Sequence, residues 1–361
     1  MTPLWYPLKG MSTLRILFFA FCTTLFLVGT RAGAFDLEKS NLKDLKILSA
    51  EKLDYKEGNS VLMGNVKIKM GNYIISAPKV FVDSDANGQP ALVRFVENAE
   101  LDSKDLKIKA QEMFFNVKTS IFSCFASDEL LVETKIIEAN KEMLIYSWYQ
   151  EYNLNSETAL VRAFDENSPS GKPAPNDHYK RVHFFRDDLK IISDKIEINN
   201  KKGKTEFVDF LGDVIAIDTD KRIESKSLLF FPANSMLKAS EDVKVFYYDE
   251  NKPTYLFADI VIYEDKEKIL TALSDRIESQ SEVHSQNTFG KSRQITLTLN
   301  KNNKPENAIL TGNAFAQHKD KSLLGHEILF DIQNQNIKTL VGRPKTQILK
   351  KSIKDPLKNA T

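Results

Sequence analysis

Residues 59–83, NSVLMGNVKIKMGNYIISAPKVFVD, alternate apolar and polar positions as a half-buried strand does, yet twice the alternation slips by one residue. Val61 and Met63 share a face, but past Gly64 and Asn65 the apolar row is Val66, Ile68 and Met70. Ile75 and Ala77 give way in the same manner to Val80 and Val82. A strand that buries odd and then even positions has turned a corner from one sheet into an opposing one. The pattern therefore predicts two strands, each with one such slip.

The motif recurs. LSAEKLDY (48–55) has the form apolar, x, small, x, x, apolar, x, aromatic or aliphatic. ISAPKVFV, IKAQEMFF, IISDKIEI, IESKSLLF, LFADIVIY and LLGHEILF repeat it, with looser copies from Ile137 and Gly290. The small position falls at Ala50, Ala77, Ala110, Ala139, Ser193, Ser225, Ala258, Ser292 and Gly325, and the last four intervals are 32 to 34 residues. A second marker lies between copies, an acidic or amide residue at a bend: Gly64-Asn65, Glu97-Asn98, Gly212-Asp213, Glu241-Asp242 and Gly312-Asn313. A two-residue hairpin would need positive φ at both positions, which Glu97 and Glu241 tolerate poorly, so a bulge within a strand is expected instead. The fold class that follows is all-β, an elongated open β-jelly-roll of about nine repeats of roughly 33 residues, stabilised by neighbour contacts. Residues 128–150 are the one stretch with a helical alternative, and the repeat copy inside them favours strands.

Composition adds bounds. The chain has 361 residues, 42% hydrophobic, with 50 basic against 49 acidic side chains, enough for a sizeable core and giving no reason to expect nucleic acid. Lys9 and Arg15 precede the apolar run ILFFAFCTTLFLVG, and Ala32 and Ala34 fit a cleavage site, so residues 1–34 read as a secretory signal peptide, with an uncleaved inner-membrane anchor as the alternative. Cys124 is then the single mature cysteine, expected as an inert buried thiol rather than half of an internal disulfide, with intermolecular pairing as the alternative. The layout expected is a first β-jelly-roll block at 35–164, an inserted Pro/Gly/Ser-rich loop at 165–186, a second block at 187–346 and a basic flexible tail at 347–361.

ILSAEKLDYKEGNSVLMGNVKIKMGNYIISAPKVFVD resembles the opening of the lipopolysaccharide-transport bridge family, the OstA-like proteins that include LptA, LptC and the N-terminal domain of LptD. The resemblance is carried by Ala50, Leu53, Tyr55, Gly64, Asn65, Val66, Ile75, Ala77 and Val80, and is closest over 46–116. It implies a β-jelly-roll with an apolar slot for the acyl chains of lipopolysaccharide (lipid A), in the periplasm. The expected partners are neighbouring Lpt-type modules, or further copies of this chain, added end to end by strand pairing. The slot-lining set it implies is Leu53, Tyr55, Val66, Ile68, Ile75, Ala77, Val80, Ile223, Leu228, Phe230, Val261 and Tyr263. Each would also point inward in any β core.

No catalytic residues, metal ligands or cofactor are expected. The five histidines are dispersed, His326-Glu327 does not continue into HExxH, and there is neither a phosphate-cradling glycine loop nor a nucleophile elbow. Two rivals remain open on sequence alone: an exported structural or adhesive β-repeat protein, and a polysaccharide-active β-solenoid enzyme.

Overall fold

A computed structural model describes residues 45–56, 59–138, 141–164, 180–201, 204–249, 252–275, 279–319 and 321–342. The expected signal peptide and tail lie outside these residues, as does most of the 165–186 segment. Every regular element described is a strand. In chain order they are β1 (Leu45–Ser49), β2 (Lys52–Lys56), β3 (Asn59–Met70), β4 (Tyr73–Ser84), β5 (Pro90–Asp102), β6 (Leu106–Asn116), β7 (Ile121–Phe125) and β8 (Val132–Glu138). Then follow β9 (Lys141–Ser147), β10 (Tyr149–Asn153), β11 (Thr158–Arg162), β12 (Val182–Arg186), β13 (Leu189–Ser193), β14 (Lys195–Lys201), β15 (Lys204–Ile217) and β16 (Lys221–Phe231). The last are β17 (Met236–Tyr247), β18 (Thr254–Glu264), β19 (Ile269–Leu273), β20 (Ser281–Ser285), β21 (Thr288–Ser292), β22 (Gln294–Leu299), β23 (Pro305–His318), β24 (Lys321–Asp331) and β25 (Asn336–Gly342). Within 128–150 the regular elements described are the strands β8, β9 and the start of β10, as the repeat copy favoured.

All pairings are antiparallel, and the strands form one hydrogen-bonded sheet creased lengthwise into two facing leaves. Leaf I holds β2, the first half of β3, the second half of β4, and so on through β7, β10, β11, β14, β19, β22 and β25. Leaf II holds β1, the complementary halves, and β8, β9, β12, β13, β20 and β21. Long strands pass over the crease; elsewhere the crossing is split, as between β9 and β10. The edge opposite the crease, where the hairpin turns lie, forms a mouth between the leaves.

The two sequence markers meet at the crease. Val66 pairs with Ala77, Ala99 with Ala110, Val214 with Ser225, Val243 with Ala258 and Ala314 with Gly325, each just past a bend on the outgoing strand and opposite the small residue of the returning one. Outgoing strands carry one extra residue, so Leu62 to Val66 faces Val80 to Ala77. Here one expectation is corrected. The buried row in β3 is Ser60, Leu62, Val66, Ile68 and Met70, which keeps its parity, whereas β4 passes from Ile75 and Ala77 to Val80. Only returning strands slip. The four-residue step of the bulge restores the outgoing strand to the same face, and Val61 and Met63 lie on the outer side.

The bulge expectation holds, but not for the reason given. All five bends have positive φ at both residues, including Glu97 (69°) with Asn98 (65°) and Glu241 (67°) with Asp242 (52°). A left-handed non-glycine residue costs about 1–2 kcal/mol, partly offset on changing to glycine by glycine's greater chain entropy. Glu97→Gly and Glu241→Gly are therefore expected to raise stability by up to about 1 kcal/mol, read as a higher urea midpoint. A lower midpoint for both would mean that their side chains hold the crease. The reverse change is barred at Gly64 and Gly212, where an added Cβ would run into the carboxylates of Glu51 and Asp194.

The ladders run unbroken past the inserted segment, with β11 pairing β14 and β9 pairing β12. Val182–Arg186, placed in the loop by composition, is a strand whose Val182 and Phe184 are buried. The small residue at the β9–β10 crossing is Ser147, fully buried. Ala139, chosen by the repeat search, lies outside the described residues.

Candidate functional site: the apolar interior and its mouth

The space between the leaves is lined by inward residues of every strand. Ten of the twelve residues implied as slot lining are buried in it: Val66, Ile68, Ile75, Ala77, Val80, Ile223, Leu228, Phe230, Val261 and Tyr263. Leu53 and Tyr55 are exposed by 48% and 59%. Register still sets them inward, since they pair with Leu62 and Ser60, but among the described residues β2 is the last strand of leaf I and no other strand covers them.

The interior is filled by the chain's own side chains and not by an open slot. Phe95, Phe115, Phe184 and Phe210 are among its fully buried residues. An apolar furrow in water closes on itself, because each exposed methylene forgoes roughly 0.8 kcal/mol. A cavity of about 30 Å³ remains near the N-terminal end of the mouth. Met70, Tyr73, Leu101 and Leu106 of leaf II and Phe122 and Leu154 of leaf I line it. That volume is well below the ~150 Å³ that admits a benzene-sized guest, so hydrocarbon can enter only where the leaves part.

Beside the cavity a buried polar tie joins the leaves. Thr134 of β8 and Tyr152 of β10 both donate to Gln150 Oε1, and Gln150 Nε2 donates to Ser147 Oγ at 2.9 Å. Burial, with some contribution from neighbouring Cys124, raises the Tyr152 pKa, and burial alone raises that of the Cys124 thiol, so both stay protonated. Cys124 is the buried free thiol that its sequence context suggested.

Further along, the mouth is clasped by polar contacts. Lys221 Nζ, on a residue only 4% exposed, lies 2.5 Å from Asp218 and 4.8 Å from the ring centre of Tyr263 across the mouth. Tyr263 donates to Asp265, which also pairs with Lys268 at 2.7 Å. Lys304 reaches Asp249 at 3.1 Å, and Gln335 Nε2 donates to Ser285 Oγ at 3.3 Å. Arg186 extends from leaf II over the Phe230 ring of leaf I, 4.9 Å from its centre. Burial pulls the Asp218 carboxyl upward, but Lys221 and the Thr219 amide outweigh it and hold its pKa low; Asp265 is lowered by Lys268 and Tyr263 against the same opposing burial.

These contacts pair residues two or three strands out of step, β12 with β16 and β16 with β18, because the leaves twist away from their shared crease. Sequence reasoning missed this polar row. Its only local sign was phase: Arg186 follows Phe184 by two and Lys221 precedes Ile223 by two, both in step with buried neighbours.

Residues 49–141 match the family described as LptA/(LptD N-terminal domain) LPS transport protein. Among solved structures, LptH, the LptA-homologous periplasmic component of the lipopolysaccharide transport device from Pseudomonas aeruginosa, is similar at 14% identity and a TM-score of 0.30. The alignment covers 39% of this chain and 93% of that one. No curated protein sequence matches. Over residues 49–141, about a quarter of its length, the chain is thus similar to the LptA/LptD N-terminal domain family of lipopolysaccharide-transport proteins.

Proposed function

We propose that this chain is a periplasmic carrier that holds lipopolysaccharide by its lipid A acyl chains between the two leaves, on the way from inner to outer membrane. The observation that carries the proposal is a coincidence of place. The family match spans the strands from which most of the cavity lining comes, Met70 to Phe122. Burial of acyl chain yields roughly 0.8 kcal/mol per methylene, so parting the mouth over a few strands is offset once several methylenes are inside. Among the described residues β2 pairs with β3 alone, and its other edge offers backbone groups to a neighbouring module of the same kind or to a further copy of this chain. No chemical step is assigned to the protein, and movement of the lipid is driven by an energised partner.

A photo-crosslinking residue at Val66 or Ile75, both buried, is expected to capture lipopolysaccharide during export, while one at the exposed Lys67 is not. Equal labelling at all three would sink the carrier reading. The filled interior favours a second reading, an exported structural β-repeat protein whose core is complete without a guest. On that reading none of the three positions captures lipid.

A further inference from the structure

Partway along the interior, between β7 and β11 of leaf I and between β6 and β12 of leaf II, apolar packing gives way to a transverse polar layer. Thr134 of β8, Ser147 of β9, and Gln150 and Tyr152 of β10 supply it, and all four are buried. Gln150 is the hub. Its Oε1 accepts the Thr134 and Tyr152 hydroxyls, each at 2.5 Å, and its Nε2 donates to Ser147 Oγ. Ser147 lies at the crossing between the leaves, Gln150 is the first inward residue beyond it and Tyr152 the second, so the layer runs from the crease toward the mouth. In register beside Gln150 and Tyr152 stand Cys124 and Phe122 on one side and Val161 and Ala159 on the other, all buried. The fold therefore accepts apolar residues at this depth on both sides and does not itself call for an amide. Tyr152 and Phe122 also line the cavity, which abuts the near face of the layer.

An alkyl chain sliding along the interior would have to take the place of these bonded groups. It offers neither donor nor acceptor, so the separated hydroxyls and amide would stay unmet in an apolar medium. We propose that the layer is a bulkhead: it divides the interior into two hydrocarbon compartments, and Gln150 is the positioning residue that keeps a chain seated at the cavity from sliding on past β11. The inference rests on the carrier reading and adds to it the manner of movement. A seated chain leaves its compartment by withdrawing to the mouth, not by creeping along the crease. Farther on, the mouth is held by Lys221 with Asp218 and by Arg186 over Phe230, so hydrocarbon enters on the cavity side.

The test uses the full chain and a neutral probe, dodecyl maltoside with a photoactivatable diazirine at the end of its alkyl chain, irradiated soon after mixing and followed by peptide mapping. Label in β4 to β7 is expected to exceed that in β12 to β16 by about tenfold or more, since passage separates hydrogen bonds worth about a factor of ten each. Gln150→Met leaves the Thr134 and Tyr152 hydroxyls, 3.1 Å apart, to bond one another. That variant, and more fully Thr134→Val with Gln150→Met and Tyr152→Phe, should bring the two regions toward equal labelling. A tie that served stability alone would shift the urea midpoint and leave the label where it was, so confinement that survives in both variants would overturn the proposal. Equal labelling in the wild type, or label chiefly in β12 to β16, would overturn it without recourse to any variant and leave the carrier reading standing. Absence of label from the interior altogether would remove the carrier reading as well.

Discussion

Phe184→Ala is expected to cost about 4 kcal/mol, the range for emptying a fully packed aromatic site. Phe184 of leaf II meets Phe210 of leaf I edge to face at 5.2 Å and lies 6.4 Å from Phe230, so three rings bridge the leaves at mid-length. All three are buried. The substitution also tests organisation. If the two blocks expected at 35–164 and 187–346 unfolded separately, stability would be lost only on one side of residues 165–186. Ladders continuous past that segment transmit the loss. Urea denaturation followed by Trp148 fluorescence and by amide exchange in β23 and β24 should show one shared transition, lowered together in the variant. Two transitions, only one of them shifted, would show that the two blocks unfold separately.

Asp218→Asn should be nearly as damaging, at about 3 kcal/mol, because it strands the Lys221 ammonium inside the mouth. Replacing both residues, Lys221→Met with Asp218→Leu, should recover most of the loss, since a buried pair contributes little over apolar packing of similar volume. The pH dependence has a definite sign. The Asp218 pKa is lowered in the folded chain, so its stabilisation is complete above the ordinary carboxylate range and is lost as pH falls through and below it. The stability difference between wild type and Asp218→Asn should therefore hold from neutral pH to about 5 and shrink below about 4. A difference that instead grew on acidification would show that the clasp does not depend on the charged carboxylate.

The creased sheet was legible because its two markers are local and recur: a small residue before a slip, and a bend where the next strand crosses back. What escaped were features decided by partners far away in sequence. In Val61-Leu62-Met63 three apolar residues run together, and only the leaf beneath them selects Leu62 as the buried one. At the β9–β10 crossing Gln150 stands where an apolar residue was sought, acceptable inside because Thr134 and Tyr152 donate to it. Ser147 for that reason lacks the apolar residue three places on that marks the other copies. The polar mouth was hidden in the same way, since Lys221 finds Tyr263 only after the twist has carried β18 beneath β16. Of the implied lining, ten residues are inward and buried. Leu53 and Tyr55 face inward as well, but at an end that the sequence did not mark as one.

That end is split between two strands. Among the described residues β1 and β2 pair with the two halves of β3 and with no other strand, and Leu53 and Tyr55 on β2 are left exposed. Splicing on a lone short strand would engage only β1 or only β2. A body that seals this terminus must present a partner to each, one for β2 and one for β1, as a double tenon fills two mortises.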